Sequence, residues 1–287
     1  MKPAFIGIGA HKGGTTWLYR QLELHPEVGF AAGPAADGQI AAKEKHFWCR
    51  EAHGRRANPR WPGGPAEALA AYLASFPEGV VTGDITPHYA VLEDDRIAKV
   101  AAALPGVRLI YLLREPRARA WSWAASTYAE LQAGTQGPGR TRVAQVWEAP
   151  GSREPADFDT RAEEWLRERL AGPVALAHSD YAANVSRWRR HFPEAALLLA
   201  PTDEIAADPR GLLRRVFAHV GADPGFAAHL PDEELAAWVN PHRPAPRVPR
   251  GLQGLLDETF LPLVEPLERL TGWDLSRWKE RPAEYGE

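Results

Sequence analysis

The sequence predicts a three-layer α/β domain with a central, mainly parallel β-sheet flanked by helices. Short apolar runs alternate along the chain with segments of helical periodicity. The run 107–115, "VRLIYLLRE", is almost continuously apolar, as is typical of a strand buried on both faces of a parallel sheet. A chain of 287 residues can bury one large core, so we predict a single domain over residues 1–287.

The N-terminal part is predicted to begin as strand, turn and helix. Residues 3–10, "PAFIGIGA", form a β-rich run, and residues 15–26 follow with helical spacing until Pro26 ends the helix. The further elements predicted up to residue 131 are a helix at 65–76, a short strand within 78–89, a helix within 94–106, the strand at 107–115 and a helix at 116–131.

The C-terminal part is predicted to begin with a long loop. Residues 132–155 are rich in Gly, Pro and small polar residues and show no period, so we predict a flexible loop or substrate lid. Beyond it we predict helices within 157–172 and 181–193, a strand, a loop and a helix within 195–221, and a final helix at 252–270.

Composition limits the class of protein. The net charge of −3 gives no general attraction to nucleic acid or an anionic membrane. The single cysteine, Cys49, excludes an internal disulfide, and no histidine or carboxylate spacing along the chain predicts a metal site. The N-terminal apolar stretch is too short for a signal peptide or a membrane span, so we expect a cytoplasmic protein.

A glycine-rich turn with one lysine, "GAHKGGTT" at 9–16, separates the first predicted strand and helix. Such a turn directs helix N–H groups and a partial positive charge toward an anion, although the alternative is a turn that binds nothing. Its lysine precedes the paired glycines, whereas the Walker loop G-x-x-x-x-G-K-[ST] places the lysine after the last glycine. The candidate anion-binding residues are Lys12, Gly13, Gly14, Thr15 and Thr16.

Two segments resemble the sulfotransferases that use 3′-phosphoadenosine 5′-phosphosulfate (PAPS), in particular the heparan-type, carbohydrate and bacterial branch. "GAHKGGTTWLYRQLELHP" is similar to the family's 5′-phosphosulfate loop, with His11 where proline is common. "VRLIYLLREPRARAWSWAAS" is similar to its 3′-phosphate motif, in which Arg114 and Ser122 match the phosphate-binding positions. The alternative for Arg114 is a structural ion pair with Glu115 or Asp84. The resemblance implies a P-loop-like fold, PAPS as co-substrate and no metal.

A third segment, "KEKHFW" at 43–48, resembles the part of the family that carries the general base. Glu44 matches the catalytic glutamate, and Lys12 matches the lysine that neutralises the leaving phosphate. Flanking lysines lower the pKa of a carboxyl group and weaken it as a base, so His46 is the competing candidate. The alternative interpretation is a solvated, charged surface.

The remaining candidates concern the acceptor and the ribose end of the donor. "TGDITPHYA" resembles a further family signature and suggests Asp84, Thr86 and His88 as acceptor-side residues, with Trp48 as a floor for the acceptor. Ile85 replaces a lysine of several members, which favours a less anionic acceptor. The basic tail offers Arg243 and Arg247 for the 3′-phosphate.

The resemblance implies an enzyme that moves a sulfuryl group in line from PAPS to a hydroxyl, or secondarily an amine. The acceptor is expected to be a small molecule, glycolipid or saccharide, such as a bacterial natural product or carbohydrate, with no nucleic acid as partner. Two other functions remain open. They are a small-molecule kinase of related fold and a non-catalytic nucleotide-binding protein.

Overall fold

The structure is a computed structural model, and it describes residues 2–30, 43–49, 64–132, 160–237 and 246–286. These residues group into two compact units. The first unit comprises Met1–Leu113 and Val185–Val239, and the second comprises Arg114–Asn184 and Asn240–Glu287. The single domain over residues 1–287 stays a prediction beside this grouping.

A four-stranded parallel sheet forms the centre of the first unit. Its strands, in the order β2-β1-β3-β4 across the sheet, are β1 (Phe5–Gly9), β2 (Gly83–Ile85), β3 (Arg108–Leu113) and β4 (Leu197–Pro201). Phe5 is in register with Gly83 on one side and Arg108 on the other. All five residues of β1 are buried, as a central parallel strand requires. The predicted α/β class with a parallel sheet is confirmed.

Helices alternate with these strands along the chain. In chain order they are α1 (Thr15–Glu23), α2 (Pro65–Ala74), α3 (Asp94–Ala103), α4 (Pro116–Gln132), α5 (Thr160–Ala171), α6 (Pro173–Ser179), α7 (Tyr181–Arg189), α8 (Glu204–Ala207), α9 (Pro209–Val220), α10 (Asp232–Ala236), α11 (Arg250–Phe260), α12 (Val264–Thr271) and α13 (Ser276–Lys279). Within the described residues, no helix is both long enough and apolar enough to cross a membrane.

Each unit has its own core. In the first, Leu18 of α1 and Phe217 of α9 pack with Ile110 of β3, and all three are fully buried. In the second, Trp121 of α4 and Phe260 of α11 belong to a cluster that α5 completes. Because α1 and α9 each bury one apolar stripe, both helices are amphipathic rather than apolar throughout.

Two details of the structure differ from the sequence prediction, and one predicted feature lies outside the described residues. The predicted helix 252–270 is interrupted by a 3₁₀ turn at Leu261–Leu263, because Pro262 supplies no N–H for a helix. The short helix α8 lies in a predicted loop. The predicted loop or lid 132–155 lies outside the described residues, apart from Gln132, which ends α4.

Candidate active site

Hydrogen-bonded backbone builds the turn between β1 and α1. The N–H of Ala10 donates to the carbonyl of Leu112 at 2.7 Å, and the N–H of Gly13 donates to the carbonyl of Ala10 at 2.9 Å. Helix α1 begins at Thr15, and among the described residues no side chain caps its first turn. The turn therefore presents helix N–H groups that the helix itself does not satisfy, which is the arrangement that binds anions.

The paired glycines are required by this tight turn. A Cβ atom at Gly13 would lie 2.9 Å from the carbonyl oxygen of Leu112. Gly14 has a φ of 86°, and a Cβ atom there would lie 2.7 Å from Cδ1 of Ile205. Lys12, with a φ of 68°, also adopts the left-handed conformation. The glycines thus allow the reversal that places Lys12 just before the helix.

Lys43 joins this turn to the predicted base. Its Nζ donates to Oγ1 of Thr15 at 3.2 Å and to Oγ1 of Thr16 at 3.1 Å. The same ammonium group lies 3.2 Å from Oε1 of Glu44. The Lys43 side chain is only 8% exposed, so water screens its charge poorly. One cation therefore bridges the hydroxyl groups of the turn and the carboxylate of Glu44.

Glu44 uses its second oxygen to contact His46. Nε2 of His46 lies 3.0 Å from Oε2 of Glu44. Burial by itself would raise the pKa of Glu44, but the hydrogen bond from His46 and the charges of Lys43, His46 and His88 lower that pKa to about 2. Glu44 is therefore ionised near neutral pH and is a weaker proton acceptor than an ordinary carboxylate. His46 lies beside it as the second acceptor that the sequence suggested.

The ring of His88 lies close to those of His11 and His46. The ring centroids of His11 and His88 are 5.0 Å apart, and those of His88 and His46 are 5.4 Å apart. One possible ligand atom from each of Glu44, His46 and His88 lies within 4.8 Å of the others. Spacing along the chain indicated no histidine–carboxylate cluster. The fold nevertheless brings His88 next to residues more than forty positions earlier in the sequence, a proximity that spacing along the chain does not show.

The buried Asp84 accepts hydrogen bonds from several residues around this cluster. Its Oδ1 accepts from the N–H of Lys45 at 3.2 Å and the hydroxyl of Thr86 at 2.7 Å. Its Oδ2 accepts from the hydroxyls of Tyr72 at 3.2 Å and Tyr89 at 2.7 Å. Burial raises the pKa of Asp84, although the hydrogen bonds from Thr86, Tyr89 and Lys45 oppose that shift. Because Asp84 and Thr86 have no exposed surface, they are placed to support the site rather than to touch an acceptor.

Two residues next to Glu44 are held by this buried network. His46 has a φ of 51°, and its N–H donates to Oγ1 of Thr86 at 3.3 Å. Trp48 is 6% exposed, and its ring packs against Phe47 and Tyr72. Trp48 therefore offers little surface as the predicted acceptor floor, whereas His88 is partly exposed.

The predicted 3′-phosphate residues belong to the second unit. Arg114 follows β3, and its Nη2 lies 2.8 Å from Oε1 of Glu284. Its carbonyl accepts from the hydroxyl of Tyr181 at 2.8 Å. Glu115, which the sequence left open as a partner of Arg114, pairs instead with Arg117 at 2.8 Å. The Arg114 guanidinium is therefore held by a carboxylate from near the C-terminus, on a side chain that is 28% exposed.

Arg119, a further arginine of this motif, has a structural role. Arg119 is fully buried on α4, where it donates to Oγ of Ser179 at 2.9 Å and to the carbonyl of Ala175 at 3.0 Å. It thereby fixes α4 to α6. Ser122 follows on α4 and is partly exposed.

Arg247 is exposed, and a Cβ atom at Gly286 would lie 3.1 Å from its Cδ. Arg243 lies outside the described residues.

Sequence reasoning missed the contacts of Lys43 and Glu284. Lys43 carried a signal, since it precedes Glu44 directly, whereas nothing in the sequence around Glu284 indicates its pairing with Arg114.

Comparison with known proteins agrees with these motifs. Residues 2–236 match the sulfotransferase domain family. Heparan sulfate glucosamine 3-O-sulfotransferase 3A1 of Mus musculus is 28% identical over 227 residues, which cover 76% of this chain and 46% of that protein. Heparan sulfate glucosamine 3-O-sulfotransferase 6 of Homo sapiens is 27% identical over 299 residues, which cover 95% of this chain and 72% of that protein. The chain thus spans about half the length of the mouse relative.

A solved structure agrees with the fold. A sulfotransferase from Alicyclobacillus acidocaldarius superposes with a TM-score of 0.63 and 23% sequence identity. The alignment covers 98% of this chain and 100% of that one. At this level of identity, the likeness concerns the fold alone.

Proposed function

The chain belongs to the sulfotransferase family, and from that premise we propose that it moves a sulfuryl group from PAPS to an acceptor hydroxyl. The observation that carries the proposal is the bridge made by Lys43, whose ammonium group contacts both Thr16 and Glu44. Group transfer needs the leaving group and the proton acceptor in one place. The bridge supports such a site, because it ties the predicted donor turn to the predicted base.

The turn after β1 is proposed to bind the 5′-phosphosulfate end of the donor. Lys12 neutralises the phosphate that departs, and N–H groups at the start of α1 donate to its oxygens. The residues proposed for this end are Lys12, Gly13, Gly14, Thr15 and Thr16. Lys43 lies against the two threonine hydroxyls, so it is suited to bind the oxygens of the transferring sulfuryl group.

Arg114 and Ser122 are proposed to bind the 3′-phosphate of the donor. A guanidinium group donates two parallel hydrogen bonds to a phosphate, and a hydroxyl adds a third. In the structure the Arg114 guanidinium already holds a carboxylate, that of Glu284, so it is oriented to bind an anion. Arg247 and Arg243 remain proposed as further contacts to this phosphate.

The reaction follows from these roles. The acceptor oxygen attacks sulfur, a new O–S bond forms, and the bond between sulfur and the 5′-phosphate oxygen breaks. The acceptor's proton passes to Glu44, or to His46 beside it, and 3′-phosphoadenosine 5′-phosphate leaves. In-line transfer of this kind relies on positioning and charge stabilisation, which lysine, arginine and backbone N–H groups supply.

A saccharide hydroxyl is the acceptor we favour, because the mouse and human relatives described above are both named heparan sulfate glucosamine 3-O-sulfotransferases. A glycolipid or a small molecule is the second choice, since Ile85 replaces the lysine of several family members, which favours a less anionic acceptor. The cytoplasmic location stays a prediction.

Two experiments test the reaction. Transfer of labelled sulfate from PAPS to a panel of saccharide and small-molecule acceptors is expected for the wild type. Glu44→Gln is expected to reduce transfer by roughly 10²-fold or more while 3′-phosphoadenosine 5′-phosphate still binds. The matched control is Glu258→Gln, a change at an exposed position of α11.

The outcomes separate the alternatives. Magnesium-dependent ATP turnover without sulfate transfer would identify a kinase instead. Donor binding with no transfer to any acceptor, and no effect of Glu44→Gln, would favour a non-catalytic nucleotide-binding protein.

A further inference from the structure

The cluster of Glu44, His46 and His88 has the geometry of a metal-ligand set. One ligand atom of each side chain lies within 4.8 Å of the other two. Oε2 of Glu44 and Nε2 of His46 are 3.0 Å apart. Two ligands of one tetrahedral zinc ion, each bound at about 2.0–2.1 Å, lie roughly 3.3 Å apart. Small side-chain shifts would therefore bring the three atoms around one ion.

The donor chemistry selects the class of metal. Two imidazoles and one carboxylate are a set that zinc uses in open sites, where a fourth position is left for water or substrate. Imidazole ligands suit zinc, copper and nickel, whereas magnesium and calcium prefer oxygen ligands throughout. All three side chains are partly exposed, so an ion can reach them from solvent.

The backbone that carries the ligands is anchored. The N–H of His46 donates to Oγ1 of Thr86, and Thr86 donates to the buried Asp84. His88 lies two residues after Thr86, in the 3₁₀ turn Pro87–Val91, and its ring centroid lies 5.0 Å from that of His11, with the two rings tilted by 36°. The backbone of His46 is thus held through Thr86, and His88 follows Thr86 closely along the chain. A fixed backbone lowers the conformational entropy that is lost when the ligands are ordered around an ion.

The positive charge of Lys43 opposes the binding of a metal ion at this site. The ammonium group of Lys43 bonds Oε1 of Glu44, which leaves Oε2, on the side of His46, as the ligand oxygen. Repulsion between Lys43 and a bound ion weakens binding, so we expect a lower affinity than that of a structural zinc site.

We propose that Glu44, His46 and His88 bind a divalent transition metal of the zinc class and that its binding inhibits the enzyme. The inhibition rests on the proposed function. A bound ion occupies the lone pairs of Glu44 and His46, so neither residue accepts the proton of an acceptor hydroxyl. Binding itself depends only on the three ligands.

The test is direct titration of the full chain with zinc chloride, followed by calorimetry, and with cobalt chloride, followed by visible absorption. We expect one equivalent of zinc to bind and the cobalt complex to show the d–d bands of a low-coordinate site. His88→Ala is expected to weaken zinc binding by more than about tenfold. The control His229→Ala, at an exposed position after α9, should bind zinc like the wild type.

Activity gives the second readout. Zinc should inhibit sulfate transfer by the wild type, a chelator should restore it, and His88→Ala should raise the half-inhibiting zinc concentration relative to its own uninhibited rate. If the wild type binds no zinc, or if His88→Ala binds it as tightly, the inference is overturned. Zinc binding by a chain that transfers no sulfate would leave the metal site intact and reject the proposed function. Sulfate transfer by a chain that binds no zinc would support the proposed function and reject the metal site.

Discussion

Removal of the Asp84 carboxylate should destabilise the protein strongly, because Asp84 is the acceptor for four donors in a region without solvent. The donors are the Lys45 N–H and the hydroxyls of Tyr72, Thr86 and Tyr89. In Asp84→Ala all four lose this acceptor. Three are hydroxyls that can rotate, but the Lys45 N–H has a fixed direction.

The magnitude follows from that count. A buried donor left without an acceptor costs about 1–3 kcal/mol, so the N–H and one or two hydroxyls together cost about 3–5 kcal/mol. Asp84→Asn should cost less, about 1–2 kcal/mol, because its amide oxygen can still accept from Lys45 and Thr86. Its NH₂ group can then donate to the oxygens of Tyr72 and Tyr89, whose hydroxyls turn away.

Urea unfolding followed by tryptophan fluorescence measures both variants. Asp95→Ala is the control, since Asp95 is 68% exposed and its ion pair with Lys99 spans 3.7 Å. We expect that control within about 0.5 kcal/mol of the wild type. A loss below about 1 kcal/mol in Asp84→Ala, or equal losses in the alanine and asparagine variants, would refute the reasoning.

Three further predictions concern single side chains. Glu284→Gln should raise the affinity for 3′-phosphoadenosine 5′-phosphate by up to about fivefold in calorimetry. The reason is that Arg114 no longer has to break its ion pair with the Glu284 carboxylate before it binds the phosphate. Lys43→Met should reduce sulfate transfer roughly 10²-fold or more, with a smaller change in nucleotide affinity, because its ammonium group faces the proposed transfer position. Burial lowers the pKa of His219, so the unfolded chain binds more protons than the folded one, and stability falls as the pH drops below about 6.5. On acidification from about pH 7.5 to about pH 5.5, the melting temperature of His219→Gln should therefore fall less than that of the wild type.

Each of these has a matched control and a contradicting result. Glu258→Gln should leave nucleotide affinity unchanged, and an unaltered affinity in Glu284→Gln at low salt would count against the role of Arg114. Lys99→Met, at an exposed position, should transfer sulfate normally, and normal transfer by Lys43→Met would remove the bridge from the mechanism. For the pH experiment the control is His229→Gln, and equal acid sensitivity of all three proteins would exclude His219 as a cause.

Local patterns predicted much of the fold. The glycine turn before α1 was predictable because glycine and helical spacing are both local signals, and β3 was predictable because a strand buried on both faces is apolar throughout. The break at Leu261–Leu263 was missed because the apolar spacing continues across Pro262. Helix α8 is four residues long, which is too short to show a period.

Site geometry was predictable only in part. The resemblance picked out Lys12 and Glu44, and the adjacency of Lys43 to Glu44 was visible in the sequence. Contacts across large separations were not. His88 reaches Glu44 only once the chain has folded, and the pairing of Arg114 with Glu284 spans 170 positions without any motif around the glutamate.

The central claim is that this chain recognises an adenosine that carries a 3′-phosphate and a 5′-phosphate or phosphosulfate. Calorimetric titration of the full chain with 3′-phosphoadenosine 5′-phosphate and, separately, with ATP and magnesium tests it most directly, since no acceptor is needed. We predict clear preference for 3′-phosphoadenosine 5′-phosphate and loss of that preference in Arg114→Met, with weaker binding of both nucleotides in Lys12→Met. Equal affinity for the two nucleotides, or a preference for ATP, would contradict the account.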